Sequence, residues 1–185
     1  MNEAHETLLR RYRKKPIADI ESLKERSSFA KLEYGRDAIE RIIPHREPFL
    51  LVDTLTGIDL TENEEMVFGT RYIDPKEPLF AGHFPGHPVY PGSLQLEMGG
   101  QLGLCLTYFV VNKRTTVAPD AKPVSVLVTK VLGAMFLDQL LPGKTATMIA
   151  KRLDYDGTFG TVLSQILSDG KVCSVSIAEV MFFDE

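Results

Sequence analysis

Residues 93–111, SLQLEMGGQLGLCLTYFVV, constrain the fold more than any other stretch of this chain. Pro91-Gly92 and Ser93 open a helix, and the apolar residues that follow fall on every face of it. A helix of this kind has to be enclosed. It does not suit a membrane span, which needs about 18 or more uninterrupted apolar residues, because Ser93, Gln95, Glu97, Gln101 and Thr107 interrupt the run. Gly99, Gly100 and Gly103 each cost about 0.8–1 kcal/mol relative to alanine in a helix interior. Their presence points to close approach of a neighbouring backbone, such as a sheet wrapped tightly round the helix.

The sheet is expected from the rest of the chain. Candidate strands are 49–55, 66–73, 124–132, 145–153, 158–167 and 171–183. Pro142-Gly143, Asp156-Gly157 and Asp169-Gly170 punctuate the last four, and the Asp-Gly pairs are hairpin signals. Residues 36–43 read as a short helix, stopped by Pro44. Residues 3–15 and 17–33 have helical composition, broken at Pro16. The expected architecture is α+β: a long buried central helix wrapped by a largely antiparallel sheet, with an N-terminal helical extension over 1–33 and one domain over 34–185. A chain of 185 residues, 44% hydrophobic and 25% charged, is large enough to bury such a core.

Charge divides the chain. Residues 1–46 hold eleven Lys/Arg and eight Asp/Glu, whereas the remainder holds ten and seventeen. The sharpest basic run, Arg10, Arg11, Arg13, Lys14 and Lys15, reads either as a solvated arm or as a docking patch for an acidic partner. The overall charge of −4 gives no support for nucleic-acid binding. Cys105 and Cys173 have no ligand spacing and lie in apolar surroundings. They read as reduced core thiols of a cytoplasmic protein without a signal peptide.

Chemistry concentrates between residues 74 and 101. Five prolines and three glycines forbid regular structure over 74–92, yet Phe80, Phe84, Val89 and Tyr90 do not belong in a solvated linker. A shaped functional loop fits better. It holds His83 and His87, and histidine suits proton transfer near neutrality. Their four-residue spacing is not a metal site, because Pro85 and Pro88 exclude a helix and no acidic or cysteine neighbour is adjacent. His45, flanked by Pro44 and Arg46, reads as structural. Glu97 is the one charged residue between His87 and Lys113. Within an enclosed helix its carboxyl group would be desolvated, its pKa raised, and Gln101 one turn on would hold it. The other reading lets Glu97 reach solvent in the first turns of the helix, favoured by the dipole. The N–H of Gly92 stands at the helix start, free of an intrahelical partner and able to polarise a carbonyl oxygen. Base, acid and oxyanion donor suit proton abstraction α to a carbonyl.

These residues resemble a known family. His83-Phe84-Pro85, then Pro88-Val89, Pro91-Gly92 and Glu97, look like the signature of the β-hydroxyacyl-acyl-carrier-protein dehydratases of bacterial fatty-acid synthesis. Pro44-His45-Arg46 followed by Pro48-Phe49-Leu50-Leu51-Val52-Asp53 is similar to that family's N-terminal segment. The resemblance covers roughly residues 36–183. It implies a hot-dog fold, with His83 exchanging the α-proton and Glu97 assisting departure of the β-hydroxyl as water. It also implies that Gly92 binds the thioester oxygen and that Phe84 shapes the site, its N–H a further candidate donor. Neither cofactor nor metal is required. Departures are Met98-Gly99-Gly100-Gln101 where Ala-x-Ala-Gln is usual, Tyr90 where methionine is common and Ser93 where an apolar residue is common. Glu97 rather than aspartate favours a simple dehydratase over the branch that also isomerises the double bond.

The implied partner is an acyl carrier protein bearing a β-hydroxyacyl chain. Candidate basic docking groups are the Arg10–Lys15 run, Lys113-Arg114 and Lys151-Arg152. Nine residue steps from His83 to Gly92 can span roughly 25–28 Å if extended, so His83 need not meet the Glu97 of its own chain. The family builds each site across a dimer. The expectation is a homodimer with two shared sites, or a higher oligomer such as a hexamer. Other readings are a dehydratase–isomerase, a dehydratase of specialised lipid or polyketide synthesis, a hot-dog thioesterase, and a non-catalytic hot-dog protein that binds the acyl carrier.

Overall fold

The computed structural model describes residues 3–62 and 64–183. Two short helices come first, α1 (Glu3–Tyr12) and α2 (Ile20–Lys24). Strand β1 (Phe29–Tyr34), helix α3 (Arg36–Ile42), and strands β2 (Thr54–Asp59) and β3 (Met66–Tyr72) follow. The long helix α4 (Gly92–Asn112) precedes β4 (Val126–Phe136), β5 (Thr145–Tyr155), β6 (Phe159–Ser168) and β7 (Lys171–Phe182). The strands form one antiparallel sheet in the order β1-β2-β3-β5-β6-β7-β4.

Two expectations need correction. The helical reading of 17–33 holds only over α2. Phe29–Tyr34 is a strand paired with β2, so position 33 lies inside the sheet. The run Phe49–Leu55 is not a strand before Thr54. Leu50, Leu51 and Val52 are buried, as their composition demands, but side chains take part of the backbone hydrogen bonding: Gln101 accepts from the Leu51 N–H and Arg71 donates to the Leu50 carbonyl.

Helix α4 lies on the inner face of the sheet, with Met98, Leu102, Cys105 and Phe109 fully enclosed. Of its three interior glycines, Gly99 bears out the close-packing reading, though against a side chain rather than a backbone. An added Cβ there would stand 2.8 Å from the Ser164 Cβ. At Gly103 the neighbour would be Val162, at 3.2 Å, and at Gly100 there is open space. The enclosure is therefore incomplete. Ser93, Glu97, Gly100, Leu104 and Val111 recur at helical spacing along a stripe that other elements leave partly or fully exposed. Beside it stands the sheet's edge strand β4, with Val128 and Val131 exposed.

The outer face of the sheet is apolar too, and the N-terminal arm covers it. Leu9 of α1 packs on Leu163, Val175 and Ile177, and Leu23 of α2 packs on Phe68 and Ile149. Between them Gln165 clamps the chain. Its Oε1 accepts from the Ile17 N–H (2.9 Å), and its Nε2 donates to the carbonyls of Tyr12 (2.7 Å) and Lys15 (2.9 Å).

Candidate active site

His83 sits on a miniature hairpin. Phe84 and His87 exchange backbone hydrogen bonds around Pro85-Gly86, with Gly86 at φ 76°. Proline followed by a glycine in the left-handed region is what a type II turn requires. The Val89 N–H closes back on the His83 carbonyl at 3.0 Å. The His83 Nδ1 lies 2.8 Å from the Val89 carbonyl oxygen. A carbonyl only accepts, so Nδ1 carries the proton and Nε2 is left bare, the form a general base needs. The ring of Phe84 stacks on that of His83, with centroids 4.1 Å apart, and is otherwise half exposed. The Phe84 N–H, a candidate oxyanion donor from the sequence, is instead directed at the His87 carbonyl at 3.3 Å.

Glu97 occupies the open stripe of α4, its side chain 34% exposed. It is half-buried and opens onto a groove, between the enclosed and the solvent-reaching positions that the sequence allows. Gln101 donates to its Oε1 at 2.9 Å, as the one-turn spacing predicts. The other two polar contacts of this amide leave no freedom. Its own Oε1 accepts from the Leu51 N–H at 2.7 Å and its Nε2 also donates to the Phe49 carbonyl at 2.8 Å.

A residue that the sequence reading treated as structural completes the cluster. The His45 Nε2 lies 3.3 Å from the Glu97 Oε1. Arg46 bends the chain there, donating to the carbonyls of Ile43 (3.0 Å) and His45 (2.7 Å). This contact also overturns the expected direction of the Glu97 pKa. Hydrogen bonding from His45, and then from Gln101, outweighs desolvation and holds the carboxyl group below its ordinary 4.5. The family-like segment Pro44-His45-Arg46 includes this histidine, but its pairing with Glu97 is not readable from sequence, because the two lie 52 positions apart in the chain.

Among the described residues no hydrogen bond or ion pair joins His83 to Glu97, and no group of three or more His, Cys, Asp or Glu side chains could hold a metal ion. Gly92 opens α4, and its N–H has no partner among the described residues. An added Cβ there would meet the half-exposed Phe136 ring at 2.8 Å, so a larger residue would have to displace that ring. The groove at Glu97, about 180 Å³, runs along α4 between the helix and β4, β6 and β7. At Thr107, Val162 and Val180 it meets a larger cavity of about 770 Å³ at the C-terminal end of the helix. Together they make a mainly apolar trough that begins at a carboxyl group.

A long helix enclosed by a single antiparallel sheet, with its first turns and the preceding loop carrying the ionisable groups, defines a hot-dog protein. This chain belongs to the FabA-like domain family, which matches residues 43–174. A relative from Campylobacter jejuni, named 3-hydroxyacyl-[acyl-carrier-protein] dehydratase FabZ, is 34% identical over 154 residues, which is 80% of this chain and 96% of that protein. One of the same name from Desulforamulus reducens is 32% identical over 79% of this chain and 94% of its own. Among solved structures, the dehydratase heterocomplex ApeI:P from Xenorhabdus doucetiae superimposes with a TM-score of 0.58, covering 80% of this chain and 91% of that one. At 16% identity this likeness speaks for the fold alone.

Proposed function

We propose that this chain is a hydro-lyase that dehydrates 3-hydroxyacyl thioesters on acyl carrier protein to trans-α,β-unsaturated thioesters in fatty-acid synthesis. The observation that carries the assignment of roles is the Nδ1–Val89 hydrogen bond of His83, which puts the proton of the neutral ring on Nδ1 and frees Nε2 to accept one. Nε2 takes the α-proton. The thioester oxygen, gaining charge, is met by the Gly92 N–H at the helix start. The β-carbon–oxygen bond breaks as protonated Glu97 passes its proton to the departing hydroxyl, which leaves as water. His83 then holds one proton and Glu97 is a carboxylate; return of that proton through water resets the pair. An acyl chain lying in the trough shields Glu97 from solvent. That works against its lowered pKa and towards the neutral acid the step needs.

The reading further takes the working unit as a homodimer, with the His83 of one protomer serving the Glu97 of the other. The open stripe on α4, the unpaired edge of β4 with its exposed Leu127, Val128 and Val131, and the exposed Phe84 and Phe136 support a second copy of this chain as their cover. Among the described residues no helix is long and apolar enough to cross a membrane. Cys105 and Cys173 are buried and unpaired, which supports a cytoplasmic setting.

The test is enoyl-thioester formation from 3-hydroxyacyl substrates of graded length. Wild type should turn over without releasing free thiol, and His83→Ala and Glu97→Gln should each lose about 100- to 10,000-fold in rate. Mixing the two variants with subunit exchange should restore activity. Verified mixed dimers that stay inactive would remove the shared-site part of the reading.

A further inference from the structure

The Glu97 carboxyl group has two oxygens, and the fold treats them differently. Oε1 has two nitrogen neighbours, the Gln101 Nε2 at 2.9 Å and the His45 Nε2 at 3.3 Å. Oε2 has no hydrogen-bond partner among the described residues. We infer that His45 is a positioning residue, whose N–H converges with the Gln101 amide on the Glu97 Oε1 and so reserves Oε2 for the departing hydroxyl group. The inference rests on the dehydratase reading of the site.

The chemistry follows from donor and acceptor roles. An oxygen that accepts one N–H bond and faces a second nitrogen at 3.3 Å is the carbonyl oxygen of a neutral carboxyl group, because a proton there would meet two donors. The acid proton is thereby directed to Oε2. Gln101 cannot reverse its amide, since Leu51 requires an acceptor and Phe49 a donor. The tautomer of His45 is decided the same way. Its Nδ1 is buried and has no partner among the described residues. A proton on Nδ1 would be buried without an acceptor while Nε2 faced Oε1 as a second acceptor. The proton therefore belongs on Nε2. His45 and His83 then hold opposite tautomers, a donor at Nε2 in one and a bare Nε2 in the other.

His45 is itself held. The side chain of Arg46 ties the carbonyls on either side of Pro44, and the rings of His45 and Phe49 pack with centroids 6.2 Å apart. The ionisable groups about Glu97 are thus His45 and, behind it, Arg46, whose guanidinium is turned to those carbonyls and lies 4.0 Å from Glu40. From α4 itself the facing group is the neutral Gln101.

The experiment has three arms. Steady-state kinetics of His45→Phe, which keeps a ring and removes the donor, should show kcat reduced about 10- to 100-fold with KM within about twofold. His45→Gln, which restores an N–H, should recover most of the loss. Second, the carboxyl ¹³C resonance of Glu97 should titrate at higher pH in His45→Phe than in wild type, and the rate-profile limb that Glu97→Gln abolishes should move the same way. Third, the ring ¹⁵N signals of the unaltered protein should give His45 as the Nε2–H tautomer. An Nδ1–H tautomer, or a Glu97 titration indifferent to His45, overturns the inference. The NMR arms need no turnover. If wild type shows the Nε2–H tautomer and the Glu97 shift but dehydrates no hydroxyacyl thioester, the functional reading fails and the His45 contact stands.

Discussion

The amide of Gln101 ties the Glu97 carboxyl group to a loop that belongs to no strand. Its Nε2 donates to the Glu97 Oε1 (2.9 Å) and to the Phe49 carbonyl, while its oxygen accepts from Leu51. One buried side chain therefore stands in for a strand partner of residues 49–51 and orients the acid. Stability and activity are coupled through it.

Gln101→Met keeps similar bulk and removes every one of these bonds. The N–H of Leu51, in a buried segment, loses its acceptor, which costs about 1–3 kcal/mol. The urea midpoint should fall accordingly. Turnover should fall further than stability explains, because Glu97 loses a donor as well. Unchanged stability would mean that water or a shifted backbone satisfies Leu51.

The lowered pKa of Glu97 makes a pH-dependent prediction. A carboxyl group with a folded pKa below its ordinary 4.5 contributes stability that is fully present above that value. The contribution is lost as pH falls through the folded pKa. Wild type should therefore hold a larger stability advantage over Glu97→Gln near pH 7 than near pH 3, measured by urea unfolding at both. A constant difference would show that the contacts of His45 and Gln101 do not favour the ionised form.

How far these features could be read from sequence depends on how local their causes are. Helix α4 was legible because Pro91-Gly92 opens it and its composition demands enclosure. The β6–β7 hairpin was legible because Asp169 and Gly170 adopt the positive φ angles, 49° and 75°, that a two-residue turn of this kind needs. The misreadings have distant causes. Leu50 and Leu51 look like strand residues, but Arg71 and Gln101 take their backbone groups. Phe29–Tyr34 has a helix-compatible composition, and pairing with β2 overrides it. Glu97 looked like a group with a raised pKa because nothing near it in sequence announces His45.

The neighbouring glycines of α4 should behave differently. Gly99→Ala puts a methyl group 2.8 Å from the Ser164 Cβ, and overpacking of this sort costs about 1–3 kcal/mol. Gly100→Ala meets nothing in its own chain and gains helix propensity of about 0.8–1 kcal/mol. Unfolding of the two variants should separate them clearly in that order. A Gly100→Ala protein that folds as well as wild type but sediments as a monomer would identify position 100 as part of the subunit contact.

The N-terminal arm should prove to be part of the folding unit. Leu163, Val175 and Ile177 on one side, and Phe68 and Ile149 on the other, point away from α4 and are covered by α1, α2 and the segment between. A chain beginning at Phe29 would bare this outer apolar face, and contiguous exposed apolar patches drive association. Such a chain should bind hydrophobic dye and aggregate on concentration. Gln165→Leu is the milder probe. It removes the clamp on Tyr12, Lys15 and Ile17 while keeping the apolar contacts. Trypsin should then cut at exposed Arg13 and Lys14 faster than in wild type, while the sheet stays resistant. Equal cleavage rates would mean that apolar packing alone holds the arm in place.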